Sequence, residues 1–273
     1  MLFRSNPPLL TWASVAHTNT TCSYLTNGTI NALSSGGTPL IQYTLLPAGT
    51  TNSTGIFNAL SAGNYTVKAI DANGCSITSA VNIGSAPAIV LGTPVVVAPL
   101  CNAGTNGSIT VTASGGTGTL TFTLNPGGIS NTSGSFTSLT AGNYTITVTD
   151  NNTCSTSTTA IITQPAALVF TSVAVTNLLC NAASTGTLSA VASGGTGTKT
   201  FLLQPGGATN TSGNFTGLSA QTYTIKVTDA QGCTKTSTAA ITQPAAITWT
   251  STNKTNVLCN GGNTGAINVS ANG

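Results

Sequence analysis

The most reactive side chains in this sequence are seven cysteines, and their spacing is regular. Cys22, Cys101, Cys180 and Cys259 follow one another in steps of 79, and so do Cys75, Cys154 and Cys233. Thiols can hold a metal, attack a substrate or bond to one another. Structural zinc needs Cys or His clustered at short spacing, such as C-x2-C, and the sequence has no such cluster. A cysteine nucleophile needs a neighbouring base. The sole histidine, His17, sits in a linker-like segment of one unit and reads as a surface residue. Disulfide bonding is left, and it places the chain in an oxidising compartment. Two regular schemes are open. One pairs Cys22 with Cys75, Cys101 with Cys154 and Cys180 with Cys233, leaving Cys259 unpaired or intermolecular. The other pairs Cys75 with Cys101, Cys154 with Cys180 and Cys233 with Cys259, leaving Cys22. The first is the expectation. It ties an early strand to the last hairpin of the same unit, and the chain-entropy model gives about 4 kcal/mol for such a loop.

The acidic residues offer less chemistry. Asp71, Asp150 and Asp229 are the only carboxylates among the side chains, one per 79-residue window. General acid/base pairs need two titratable groups held together, and a calcium site needs six to eight oxygens. A lone Asp in DANGC, DNNTC or DAQGC reads as a hairpin-turn residue bonding its own backbone. The Gly-Gly-Thr-Gly segments at 115–118 and 194–197 lack the lysine and the helix of a phosphate loop and read as β-turns. The expectation is a protein that is not an enzyme, with no cofactor, no metal and no catalytic residue. Several N-x-S/T triplets, including those at Asn52, Asn131 and Asn210, are candidate glycan acceptors.

Composition narrows the partners. Charged residues make up 3% of the chain and hydrophobic ones 40%, against about 25% charged in ordinary domains. The net charge of +3 is scattered over Arg4 and five lysines, so no basic patch is available for nucleic acid. The longest apolar stretch, AIVLGTPVVVAPL at 88–100, is too short and too broken to span a bilayer. MLFRSNPPLL has no signal-peptide core, which suits a piece of something larger.

The elements that must position these residues repeat with them. LSAGNYTVKAIDANGC at 60–75 returns as LTAGNYTITVTDNNTC at 139–154 and LSAQTYTIKVTDAQGC at 218–233. Phe57, Phe136 and Phe215 keep the same step, as do Pro47, Pro126 and Pro205 and the glycine pairs 36–37, 115–116 and 194–195. A fixed period without insertions marks a tandem array, and 79 residues suit a small domain with its own core. The expected domains are 1–85, 86–164, 165–243 and, at 244–273, the opening strands of a fourth repeat, truncated or completed by another molecule.

Short alternating segments such as TSVAVT (171–176), TGTLSAVAS (185–193), TKTFLLQ (198–204), YTIKVTD (223–229) and TKTSTAAIT (234–242) read as strands. Turn residues separate them, and no segment has a helical period. Six or seven strands per unit predict an all-β protein of tandem immunoglobulin-like β-sandwich domains, with one intradomain disulfide each. Tyr65, Tyr144 and Tyr223 enter a strand after a tight turn, as in a tyrosine corner whose hydroxyl bonds nearby backbone. Trp12 and Trp249 share one register position with Leu91 and Phe170, expected to pack where neighbouring domains meet.

Leu-Cys-Asn at 100–102, 179–181 and 258–260, followed by Gly-Gly-Thr-Gly, LSAGNYTV, DANGC and TQPAA, resembles the SprB-type repeat of very large surface adhesins of Bacteroidota. The first unit departs most, with TTCS at 20–23 and GSAPA at 84–88. The resemblance implies an exported, extracellular, cell-surface protein of the gliding-type adhesin class, secreted by the type IX route. On this reading the chain is a structural or adhesive fibre stalk. Its partners are further repeats, copies of itself, surface glycans or other cells. The alternative is a pilus-like subunit polymerising by strand exchange through residues 257–273.

Overall fold

Why so uncharged a chain folds at all is answered by its alternation. In the first repeat the strands are β1 (Thr11–Thr18), β2 (Gly28–Ser35), β3 (Gln42–Leu46), β4 (Thr50–Asn52), β5 (Ile56–Leu60), β6 (Gly63–Ile70) and β7 (Ser76–Ile83). Successive strand residues face opposite sides, so Ile30 and Ala32 of β2, Tyr43 and Leu45 of β3, Val67 and Ala69 of β6 and Val81 and Ile83 of β7 meet in one buried cluster with Phe57. The outward positions carry Thr, Ser, Asn and Lys together with the exposed Leu33, Leu46 and Ile56. The computed structural model describes residues 6–273; Arg4 lies outside the described residues.

Two antiparallel sheets enclose this core, one ordered β1-β2-β5 and the other β4-β3-β6-β7. That is an immunoglobulin-like sandwich, and the all-β fold read from the sequence holds. The third repeat repeats it. Its three-stranded sheet is Val169–Thr176, Gly186–Ser193 and Asn214–Leu218, and its four-stranded sheet is Ala208–Asn210, Thr200–Gln204, Gln221–Thr228 and Thr234–Ile241. Phe201, Leu203, Ile225, Val227 and Leu188 lie at its centre. The second repeat breaks its first strand into Val90–Leu91 and Val95–Val97. Pro94 stands where the other repeats have Val15 and Val173, and a proline has no N–H to give the ladder.

The described chain forms two compact units. One comprises residues up to Val97 with Ser108–Thr137 and Gly142–Ile161; the other comprises Ala98–Gly107, Ser138–Ala141 and Ile162–Gly273. Among the described residues no helix is long and apolar enough to cross a membrane.

Two sequence expectations change here. Trp12 packs inside its own repeat, its ring centroid 6.3 Å from that of Tyr43, and Phe170 does the same against Phe201 at 6.4 Å. The position is a packing position of the sandwich rather than of a junction; only Trp249, 70% exposed, lies open. The triplets at Asn52, Asn131 and Asn210 are turn-builders. Each side-chain oxygen accepts the N–H three residues on, from Gly55, Gly134 and Gly213, at 2.7 Å. Each amide donates to the backbone oxygen of Ile56, Ser135 or Asn214. Each amide nitrogen bears a second N–H, so a glycan there would have to spare the one the turn uses.

The same strand order corrects the disulfide expectation. β1 runs away from one end of the sandwich and returns as β2, so the Cys22 loop lies at the end where Gly84 leaves; Thr20 N–H donates to Gly84 O at 3.0 Å. β6 runs the other way and delivers the Asp71–Cys75 hairpin to the opposite end, beside Thr38. The eight residues of β6 span about 23 Å at ~3.3 Å per step, while bonded cysteines have Cα atoms within about 7 Å. Cys22 therefore cannot reach Cys75, nor Cys101 reach Cys154, nor Cys180 reach Cys233. The observed bonds are Cys22–Cys154 and Cys101–Cys233, each 132 residues apart with Cα atoms 5.5 and 5.6 Å apart. Cys75, Cys180 and Cys259 are free and exposed. The scheme pairing Cys75 with Cys101, Cys154 with Cys180 and Cys233 with Cys259 is equally absent.

Candidate functional site: the sulfur-bridged joint

Each bridge joins a loop at the exit end of one repeat to a hairpin at the entry end of the next. The hairpin is built by its aspartate. Asp150 Oδ1 accepts the N–H groups of Asn152 and Cys154, both at 2.9 Å, and Oδ2 accepts that of Thr117 at 2.8 Å. Asp150 N–H donates to Cys154 O at 3.0 Å and closes the turn. Asp229 repeats this with Gln231, Cys233 and Thr196, and Asp71 with Asn73, Cys75 and Thr38. The residue before the cysteine has a positive φ in all three, 82° at Gly74, 65° at Thr153 and 83° at Gly232. Each of the three aspartates is buried.

A carboxylate ringed by backbone donors favours its charged form. The Thr38 N–H holds Asp71 below the ordinary value of 3.8, helped by Cys75, Asn73 and Gly74 against the opposing effect of burial. For Asp229 the Thr196 N–H leads, burial opposes, and Cys233, Gln231 and the charge of Lys199 add to the lowering. A folded-state pKa below the unfolded one means the carboxylate stabilises the fold above about pH 4, and that this contribution is lost as pH falls through the folded value. Urea midpoints measured from pH 7 down to 2.5 are expected to drop in the acid range, and Asp229→Asn to flatten that drop. An Asp229→Asn variant with the wild-type acid profile would refute the assignment.

The loop side is built by Asn and Gln. In the second joint Asn102 Nδ2 donates to Pro165 O at 3.0 Å and Ala103 N–H to Gln164 Oε1 at 2.7 Å, while Leu100 N–H donates to Asn106 Oδ1. Cys101 is thereby fixed against the Gln-Pro turn that opens the next repeat, with Cys233 Sγ 3.5 Å from Leu100 O. In the first joint, where GSAPA replaces TQPAA, Gly84 N–H donates to Asn19 Oδ1 and Asn27 ties back to Thr21. There the hairpin itself reaches over: Asn152 Nδ2 donates to Thr21 O, and Ser155 N–H to the Tyr24 hydroxyl. Cys154 Sγ lies 3.1 Å from Thr21 O. Cys22 and Cys154 are both buried.

The tyrosines lie near the exit ends of their sandwiches, Tyr65 pairing with Val81 close to Gly84. Tyr65 hydroxyl donates to Ser61 O at 3.0 Å and Tyr223 to Ser219 O at 3.3 Å; Tyr144 is buried at the same register. Sequence reasoning assigned no role to the Asn102–Gln164 pair or to its counterpart Asn181–Gln243. The signal was present: both residues recur at 79-residue steps with a constant separation between them. Chemically the joint is a covalent and hydrogen-bonded clasp. Among the described residues no group of His, Cys, Asp or Glu could hold a metal ion.

A family model described as the SprB repeat matches residues 93–128 and 172–208, two windows whose starts lie one period apart. No curated protein matches the chain. Among solved structures, the chain is similar to a Ca2+-stabilised adhesin with which an Antarctic bacterium binds ice, at 18% identity over 88% of this chain and 75% of that one, TM-score 0.40. It is also similar to the three N-terminal domains of the bacteriophage RB49 outer capsid protein Hoc, at 16% identity over 87% and 100% of the two chains, TM-score 0.35. A third similarity is to the N-terminal eight immunoglobulin domains of Down syndrome cell adhesion molecule, at 12% identity over 87% and 45%, TM-score 0.39.

Proposed function

The chain carries SprB repeats, and from that premise we propose that it is a segment of an extracellular, cell-surface adhesive fibre in which these repeats form a non-catalytic stalk. The proposed repeats are 1–85, 86–164 and 165–243, with 244–273 opening a fourth. The observation that carries the reading is the clasp: each bridge runs from one repeat into the next, so the covalent path between neighbours does not rest on the linker alone. A side-chain complement of three separated carboxylates and one histidine offers no paired acid and base, which supports a structural role. The free edges of the four-stranded sheets and their Thr- and Ser-rich outer positions are the surfaces on which other cells, glycans or like chains would act.

The test is labelling of intact, unpermeabilised cells with an antibody against this segment, before and after protease shaving. Surface signal that shaving removes, together with loss of attachment when the segment's gene is deleted, is the expected result. Signal appearing only after permeabilisation would overturn the reading.

A further inference from the structure

The hairpin of Thr248–Thr255 and Ala266–Asn272 turns an apolar face to solvent. Ile247 is 82% exposed, Ile267 77% and Val269 53%; the residues one period earlier, Leu168, Leu188 and Ala190, are 9%, 1% and 1% exposed. The difference has a visible cause. In the third repeat the four-stranded sheet covers these positions with Phe201, Leu203, Ile225 and Val227. What fits this face is therefore on display elsewhere in the same molecule.

Beside the hairpin stands Cys180, free and exposed. Its loop is that of Cys101 over again. Asn181 Nδ2 donates to Pro244 O at 2.9 Å and Ala182 N–H to Gln243 Oε1 at 2.9 Å; φ is 57° at both Ala103 and Ala182. Cys22 and Cys101, at the same register, each hold a hairpin cysteine 132 residues further on. Cys75 shows the other half of the joint unfilled. It carries the full aspartate cage, with its N–H on Asp71 Oδ1 at 2.9 Å, yet its thiol is free.

We propose that the exposed hairpin face and Cys180 together form a docking surface for the four-stranded sheet of one further repeat, carried on the same polypeptide beyond this hairpin, whose Asp-x-x-x-Cys cysteine bonds Cys180. The proposal rests on the reading of the chain as part of a longer array. Its chemistry is a two-electron oxidation. Two thiols lose two protons and two electrons, one S–S bond forms, and an oxidised disulfide such as glutathione disulfide is reduced to two thiols.

The test extends the whole chain. Gly273 stands at the register of Gly36, three periods on, so the sequence of residues 37–85 appended after it continues the period unbroken. It places a copy of the Cys75 hairpin 132 residues beyond Cys180. After oxidation with glutathione disulfide, the parent shows three free thiols, Cys75, Cys180 and Cys259. The extended chain is expected to show two, Cys75 and Cys259, with Cys180 joined to the appended cysteine on peptide mapping. Cys180→Ser in the extended chain is expected to free the appended thiol. Hydrogen exchange is expected to slow at Ile267 and Val269. The proposal is overturned by an appended cysteine joined to Cys259, by both thiols remaining free, or by an appended segment left protease-sensitive while the parent repeats stay folded. Unextended chains dimerised through Cys180 would assign the surface to a second copy and overturn it as well. A bridged extension alongside unlabelled intact cells would remove the surface reading and leave the joint standing.

Discussion

Non-reducing peptide mapping of the oxidised chain is expected to return two linked pairs, Cys22 with Cys154 and Cys101 with Cys233, and no peptide joining Cys22 to Cys75. The effect on stability is expected to be large. The chain-entropy model puts closure of a loop this long at about 5 kcal/mol, and a small sandwich has little reserve beyond its core. The Cys22→Ser/Cys154→Ser double variant, which leaves no thiol to mispair at that joint, is expected to lower the guanidinium midpoint of the first two repeats and to separate their transitions. A change below about 1 kcal/mol would show that the bond restrains almost nothing the folded repeats do not already restrain. Recovery of Cys22–Cys75 peptides would contradict the observed strand order itself, since the two lie at opposite ends of one sandwich.

Gly194→Ala is the second change expected to do serious damage. Gly194 has φ of +72°, and an added Cβ would overlap the carbonyl of Ala167. That carbonyl is backbone at the entry to the third repeat, and the neighbouring N–H of Gly195 donates to Ala166 O at 2.9 Å. The left-handed conformation alone costs an L-residue about 1–2 kcal/mol, and the clash adds to it because backbone on both sides is held. A total above about 3 kcal/mol is expected, read as a lost unfolding transition for the third repeat. Gly207→Ala is the matched control. Its φ is +69° and nothing lies within 4 Å of its Cβ position, so it bears the conformational cost alone. Equal destabilisation by the two variants would show that the close approach at Gly194 is unimportant.

Much of the fold was legible because the features that make it are local and periodic. Alternation in TKTFLLQ and YTIKVTD marks strands with a buried side, and the phrase ending in Asp-x-x-x-Cys marks a hairpin whose aspartate cages its own backbone. The short strands Ala208–Asn210 and Asn214–Leu218 were hidden, because Asn, Thr, Ser and Gly between them spell a turn before they spell a strand. The disulfide partners were hidden for a different reason. Pairing is set by which end of a sandwich a loop occupies, which follows from counting strand reversals rather than from spacing. Cys22 follows one strand and Cys75 follows six, and that difference in parity places them at opposite ends. Periodicity alone allowed within-unit and adjacent pairings and gave no hint of a bond at a sequence separation of 132.

The two bonds also overlap, since Cys101 lies between Cys22 and Cys154. From Cys22 to Cys233, every peptide bond is spanned by at least one sulfur link. Hydrolysis of any single amide in that stretch leaves one covalent molecule, with its two fragments still tethered. A protease that nicks an exposed linker would change the mobility of this protein on a reducing gel and leave the chain on either side of the cut covalently joined.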